Sequence, residues 1–500
     1  MKKTAILAIL LAAFYSIYSN AQTQLGATIY GTQNDERFGS TIEMNAQGNI
    51  IAVAADQTDT MNGNSSGLVR VFELNNATNE WTQKGNDILG RDTGNKFGHS
   101  ISLSTDGNLI AIGAVLSDFY GFQSGSVWVF EYNDTSQLWE QKGSILTNGI
   151  DDYFTGNSVS FNGSGDRIAI GTPASQSSGF HRGNIIIFDF DQNTNDWVQV
   201  GSLINGTQDY TNLGYDVSLN GSGNTLVAGG PGIYTNGNSG INGVVKIFTF
   251  INNNWVQKGT DIIGNQPSNL FGGDVAISED GNTIVVGALS DDQNSENSGK
   301  VEVYNYINSQ WIKKGSSIIG NSNGDRLGSA VQINNDGSKI LVGSIGFDNN
   351  KGKVELFEFS NNDWKLKENP IIGESNGDKL GLSITINEQG NLIGVGTSRN
   401  DATDEYFKVF NMNSTLDVIN LNEFKVSLYL NEDKLYIKSN NISISKVNLY
   451  NSLGQEINVD VLESDFSKIH LTKAINTNVY FIKIQTNKGI ISKKFLLKKV

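Results

Sequence analysis

The hydrophobic and polar positions repeat in a fixed order along most of the chain. The clearest copy starts at "FGHSISLS" (97–104), where apolar and polar residues alternate and run into "TDGN". Such alternation ending in a Gly turn predicts a half-buried strand entering a hairpin. "LIAIGA" (109–114) is an apolar return strand, and "GSVWVFEY" (125–132) is a third strand rich in β-branched and aromatic residues. "LWEQKGSIL" (138–146) is a fourth. The loop between the second and third strands varies from copy to copy.

Two markers set the period. A Trp recurs at Trp81, Trp139, Trp197, Trp255, Trp311 and Trp364, with spacings of 58, 58, 58, 56 and 53 residues. A Gly, usually after Phe or Leu, recurs at Gly39, Gly98, Gly156, Gly214, Gly272, Gly328 and Gly381. Four short antiparallel strands per repeat of under sixty residues predict one propeller blade. A lone blade leaves both faces bare, so blades stack and the ring closes on itself. There are seven Gly markers but only six Trp markers. The last repeat has strands at "LIGVGT" (392–397) and "YFKVFNM" (406–412) and no Trp strand. "TQLGATIYG" (23–31) matches the tail of the repeat, as in "TQKGNDILG" (82–90), and stands at the other end of the chain. The expected fold is therefore all-β: a seven-bladed β-propeller over 22–415, closed by the N-terminal strand. The recurrent Trp is expected to be a packing residue.

The "FG…GA" pattern resembles the FG-GAP repeats of integrin α-type propellers. Phe97-Gly98 with Gly113-Ala114, and Phe271-Gly272 with Gly287-Ala288, carry the resemblance. Members of that family often hold calcium in a D-x-D-x-D-G loop. Here that place has only "STDGN", "SEDGN" or "NNDGS", too few oxygens for calcium. No metal and no cofactor are expected.

Past Met412 the pattern stops. Residues 416–421 read as a linker, and 422–500 as alternating stretches that predict a small Ig-like β-sandwich. "VNLYNSLGQEI" (447–457), "VYFIKIQTNKG" (479–489) and "KKFLLKK" (493–499) resemble the C-terminal sorting domain of the Bacteroidetes type IX secretion system. Asn478 stands where that family usually has Gly, and "LYLNEDKLYI" (428–437) lacks its usual Pro-Asn-Pro turn. The resemblance implies that the secretion machinery engages residues 422–500, and that the protein ends at the cell surface or released. Residues 1–21 read as a secretory signal: Lys2 and Lys3, an apolar run, then Ser19-Asn20-Ala21 before the expected cleavage.

Charge and composition narrow the function. The net charge is −15, with +5 in residues 421–500 and −22 in residues 22–420. An acidic body argues against nucleic acid as a partner. Cysteine is absent, which excludes disulfides and thiol chemistry. The three His, at 99, 181 and 470, have no ligand spacing. "GNSSG" (63–67), "GNSNG" (320–324) and "GESNG" (373–377) match G-x-S-x-G, but no helix follows them, so they read as turns.

Departures from the repeat are the better guide to function. The loop after each second strand and the loop before each marker Gly should emerge on one face. On that face blades two to four carry Phe119, Tyr120, Phe122, Tyr153, Phe180, His181, Arg182, Tyr210 and Tyr234. Trp128 also departs, since its counterparts are Arg70, Ile186, Lys246, Glu302, Glu355 and Lys408. Clustered aromatics can form a platform for a glycan or a protein. The expected function is non-catalytic binding or adhesion by a monomer. The alternatives are a polysaccharide lyase or hydrolase using the central funnel, with His181, Arg182, Tyr153 and Tyr210 as candidates, or a structural matrix protein.

Overall fold

The computed structural model describes residues 22–33, 35–148, 154–174, 180–232, 241–398 and 405–412, and strand segments between 426 and 497. Residues 1–21 and 416–421, Tyr153 and Tyr234 lie outside the described residues. The contacts divide the chain into two compact units, one of which is Gln22–Asn413. Nearly all described structure is β. Among the described residues the single helical turn, Phe347–Asn350, is four residues long.

Gln22–Asn413 is built from antiparallel sheets that each take up one sequence repeat. Sheet 1 runs Thr41–Met44, Ile50–Ala55, Leu68–Asn75 and Glu80–Gln83. Sheets 2 to 6 repeat that order and begin at Phe97, Ser158, Asp216, Phe271 and Leu327. Sheet 7 has Ser383–Ile386, Leu392–Gly396 and Tyr406–Asn411. Its fourth strand comes from the other end of the unit. Thr23 pairs with Asn411 and Gln24 with Phe410, then Ile29 with Phe407 and Tyr30 with Tyr406.

Apolar side chains on both faces of each sheet meet the sheet on either side. One cluster joins Val69 and Val71 of sheet 1 to Phe97, Ile101 and Ile112 of sheet 2. Another joins Ile42, Ile51 and Val53 of sheet 1 to Phe407 and Val409 of sheet 7. The first strands of successive sheets touch, and Thr41–Met44 touches Ser383–Ile386. The core is thus a series of inter-sheet layers. The all-β expectation holds.

The marker glycines allow this close approach. Gly98 has φ +97°, and a Cβ there would stand 2.9 Å from the Cβ of Ala54 in the neighbouring sheet. Any side chain at that position would be strained and would push two sheets apart.

The six recurrent tryptophans sit on the outer strands and reach back to the preceding sheet. Trp139 donates its indole N–H to the Lys84 carbonyl at 2.8 Å, and Trp197 to Lys142 at 3.1 Å. Trp311 and Trp364 do the same to Lys258 and Lys314, each at 2.8 Å. Trp81 finds its acceptor in the Leu25 carbonyl at 2.9 Å, within the N-terminal segment. The same lysines place their ammonium groups over an aromatic ring of the next sheet. Lys84 lies 4.2 Å from Tyr132, Lys142 4.6 Å from Phe190, and Lys314 4.8 Å from Phe359.

The second unit is described only in strands. Ile444–Asn451 pairs with Asn478–Thr486, which pairs with Gly489–Leu497, and Glu456–Ile457 adds a short edge. Val426–Asn431 and Lys434–Ser439 form a separate hairpin. Residues 458–477 of the stretch expected to form the sandwich lie outside the described residues.

Candidate functional site

Two places in Gln22–Asn413 gather chemistry, and only one of them was legible as such in the sequence.

The first is the loop face. Adjacent repeats bring their loops together by backbone hydrogen bonds. Thr155 N donates to Ser124 O at 3.0 Å, and Asn212 N to His181 O at 2.9 Å. Tyr210 N donates to Phe180 O at 2.8 Å, which places those two side chains on neighbouring loop tips. Phe119, Tyr120, Phe122 and Phe180 are all exposed, by 51, 47, 60 and 61%. Phe119 is edge-on to Tyr120, with ring centroids 4.9 Å apart. Beneath it lies Trp128, 6.2 Å from Phe119 and only 3% exposed. Trp128 is therefore the floor of the cluster and not part of its surface. It is covered by the Arg91 guanidinium at 4.2 Å, and its indole N–H bonds to Ser126 Oγ. The bulky ring fills space that Arg70 or Ile186 fills in other repeats. On the next loop pair, the His181 and Tyr210 rings stack at 6.2 Å, and Arg182 pairs with Asp209 at 2.6 Å.

The second place is a central cavity of about 450 Å³, lined by the first strands of the sheets. His181, Arg182 and Tyr210 do not line it. The titratable groups that do are Arg37, Glu43, Asp56, His99, Tyr215, Asp216 and Asp274. None of these was singled out from the sequence. The signal was present, though, as an offset from the marker Gly. Two and four residues after it, the repeats carry Thr41 and Glu43, Ser100 and Ser102, Ser158 and Ser160, Asp216 and Ser218, and Ser383 and Thr385. On a strand those two positions share one face.

Most of these side chains join neighbouring sheets. A first strand at the rim of its sheet leaves backbone N–H groups unpaired, and the preceding sheet supplies acceptors. Val217 N donates to Ser158 Oγ at 3.1 Å, and Leu219 N to Ser160 Oγ at 2.9 Å. Val275 N donates to Asp216 Oδ2 at 2.7 Å, and Val331 N to Asp274 Oδ1 at 3.0 Å. Ile42 N and Met44 N donate to Ser383 Oγ and Thr385 Oγ1 in the same way. Asp216 and Asp274 therefore do the work of serines, at the cost of placing two carboxyls close together.

Burial raises both of these acids. Asp216 is pushed up to about 6, against the pull of its hydrogen bonds from Val275 N and Ser158. Asp274 rises well above the ordinary range through burial and then through the charge of Asp216. Burial alone pushes Glu43 from 4.5 up to about 8. Glu43 has no hydrogen bond or ion pair among the described residues.

A pH dependence follows from Glu43. The folded chain keeps a proton there that the unfolded chain releases above pH 4.5. Stability should therefore fall as pH rises from about 4.5 to about 8, and level off above that. Because the cavity is open to solvent, the full shift is discounted to about 2 kcal/mol. The urea midpoint of the wild type should drop between pH 5 and pH 8.5, and Glu43→Gln should reduce that drop. Equal drops in the two proteins would refute the assignment.

Comparison with known proteins bears on the fold. Residues 265–304 match the FG-GAP repeat family. That span contains Phe271-Gly272 and Gly287-Ala288. No curated protein matches the sequence. Among solved structures, U3-55K is similar with a TM-score of 0.47 at 12% identity, over 77% of this chain and 97% of that one. A provisionally assigned 6-phosphogluconolactonase from Bacteroides uniformis is similar with a TM-score of 0.46 at 10% identity, over 69% of this chain and 91% of that one. The FG-GAP match and the repeated antiparallel sheets make this a propeller-like repeat protein.

Proposed function

We propose that this protein is a secreted or cell-surface, non-catalytic propeller of seven blades that binds a glycan or protein ligand through loops of blades two to four. The closed ring is supported by the run of contacts between first strands, ending with Thr41–Met44 against Ser383–Ile386. The pairing of Thr23–Gln24 with Tyr406–Asn411 supports closure by the N-terminal segment. Export through the type IX machinery, reading an Ig-like domain at residues 422–500, is supported by the resemblance of those residues and by the signal-like first 21.

One observation carries the binding role: four large aromatic side chains, Phe119, Tyr120, Phe122 and Phe180, are about half exposed on loop tips of two adjacent repeats. Exposing that much apolar ring surface is costly in water unless a partner covers it. The triple change Phe119→Ala, Tyr120→Ala and Phe122→Ala should abolish retention on a glycan array or in a pull-down, with an unchanged melting curve. Unchanged retention would sink this site.

A further inference from the structure

The mouth of the central cavity carries a charge pattern of its own, separate from the aromatic loop tips. All seven residues that directly follow a marker Gly, from Ser40 to Leu382, line the cavity. A tight turn leads into each of them. Its first residue, two before the marker Gly, accepts from the N–H just after the marker. Ser40 N donates to Arg37 O at 3.0 Å, His99 N to Lys96 O at 3.1 Å, and Leu382 N to Lys379 O at 3.1 Å. Arg37 and Leu270 line the cavity themselves, which places this set of positions at its mouth.

In all seven repeats that turn residue has a left-handed backbone, with φ between +49° and +58°. Glycine or asparagine suits such a backbone best. Repeat 4 uses Asn212, while repeats 3 and 5 have Phe154 and Leu270. The other four are cations: Arg326 in repeat 6, Lys379 in repeat 7, Arg37 in repeat 1 and Lys96 in repeat 2. Those repeats are neighbours. The first strands of sheets 6 and 7 touch, as do those of 7 and 1 and of 1 and 2. Ile42 N of sheet 1 donates to Ser383 Oγ of sheet 7 at 2.8 Å. The cations therefore form one unbroken arc, in a body whose net charge is −22. A costly backbone filled by long cations in successive repeats points to use and not to packing.

These charges are free to act. Lys96, Arg326 and Lys379 have no ion pair or side-chain hydrogen bond among the described residues. Arg326 is exposed, and the two lysines are half-buried. The acids beside them are spent within their own loops: Asp325 accepts from Ser322 N at 2.9 Å and Asp378 from Ser375 N at 2.8 Å. Arg37 pairs with Asp56 at 3.2 Å and keeps further N–H donors. The acids of the wall lie deeper, since Asp216 and Asp274 stand two residues past the marker Gly and Glu43 four.

Separated single cations suit a chain with spaced anionic groups better than one compact anion. A cavity of about 450 Å³ takes a small molecule or the end of a chain, not a folded protein or a duplex. Its wall offers uncharged contacts too. Tyr215 is 36% exposed there, and its hydroxyl has no partner among the described residues. The Gln332 amide, also in the wall, has none either. A ring face, a hydroxyl and an amide are what a sugar's C–H face and hydroxyls need. We propose that the cavity mouth binds a short acidic oligosaccharide, its carboxylates on the arc of Arg326, Lys379, Arg37 and Lys96 and a sugar face toward Tyr215.

The test is isothermal titration calorimetry of the full chain with α-1,4-linked hexagalacturonate. The fully methyl-esterified hexamer, with the same sugars and no charge, should bind at least tenfold more weakly. The triple change Lys96→Asn, Arg326→Asn and Lys379→Asn should weaken hexagalacturonate at least tenfold and keep the wild-type melting curve, because Asn212 already fills this turn position. Leu270→Lys extends the arc by one repeat and should tighten binding about threefold. Raising salt to about 0.5 M should weaken binding at least fivefold. The triple loop variant Phe119→Ala, Tyr120→Ala and Phe122→Ala should bind as the wild type does. No binding, equal binding of the ester, or unchanged binding by the triple Asn variant would each overturn the proposal. Loss of binding in the loop variant would move the sugar to the aromatic tips and overturn the mouth as its site. Hexaglutamate or a thymidine hexanucleotide bound as tightly would show that charge alone is read, and would overturn the sugar assignment. Failure of hexagalacturonate with retention on the loop tips intact would sink this site and leave the loop-tip role standing.

Discussion

Deleting residues 22–30 should remove the cooperative unfolding transition of Gln22–Asn413 altogether. The segment makes few contacts, but each one spans the unit. Leu25 N donates to Val409 O at 2.8 Å, next to the ladder pairs Thr23 with Asn411 and Gln24 with Phe410. Leu25 and Ile29 pack on a core that includes Phe38, Phe72 and Phe407. The indole of Trp81 bonds to the Leu25 carbonyl, so the deletion also orphans a donor in sheet 1. About five lost hydrogen bonds at ~1 kcal/mol each, with two apolar side chains bared, come to about 7 kcal/mol. That is comparable to the whole stability of an ordinary domain. The loss also bares the edge of Tyr406–Asn411, which invites pairing with other chains. Far-UV circular dichroism during heating will show it. A melting curve like that of the wild type would mean that the segment is not a closure.

Much of this architecture was legible because the repeat is long and its markers are rigid. A Gly that must let two sheets meet and a Trp that must bridge them cannot drift, so the period shows through weak sequence similarity. The unmatched tail at "TQLGATIYG" then had one place to go. The loop aromatics were also legible, as departures from the repeat, although Trp128 shows the limit of that logic. It departs from its counterparts because its ring fills the space under Phe119, and exposure cannot be read from a departure alone. The central groups were missed for the opposite reason. Ser, Thr, Asp and Glu two and four residues after most of the marker glycines look like the polar half of an ordinary alternation. Only the fold shows that this half faces a shared cavity, and that Asp216, Asp274 and Glu43 meet there from repeats far apart in sequence. Carboxylates are numerous in this chain, so spacing within one repeat could not rank them.

The repeated Trp allows a sharper experiment than a single truncation, because one copy differs. Trp139→Ala should cost about 4 kcal/mol, from a ring that is 4% exposed and packed 5.3 Å from Tyr132. That number mixes packing with the bond to Lys84. Trp139→Phe keeps much of the ring and removes the indole donor, leaving the Lys84 carbonyl unpaired at the sheet junction. It should cost about 2 kcal/mol. Trp255 is the natural control, since its indole N–H is buried without an acceptor among the described residues. The preceding turn there has Val200 in place of Lys, and Arg167 covers Phe250 at 4.3 Å and Trp255 at 5.8 Å instead. Trp255→Phe removes a buried donor that has no partner, which offsets the lost ring area. Its cost should be under about 1 kcal/mol. Urea denaturation of the two Phe variants side by side measures the difference directly. If both cost the same, the indole bonds contribute nothing to holding the sheets together and only ring packing does.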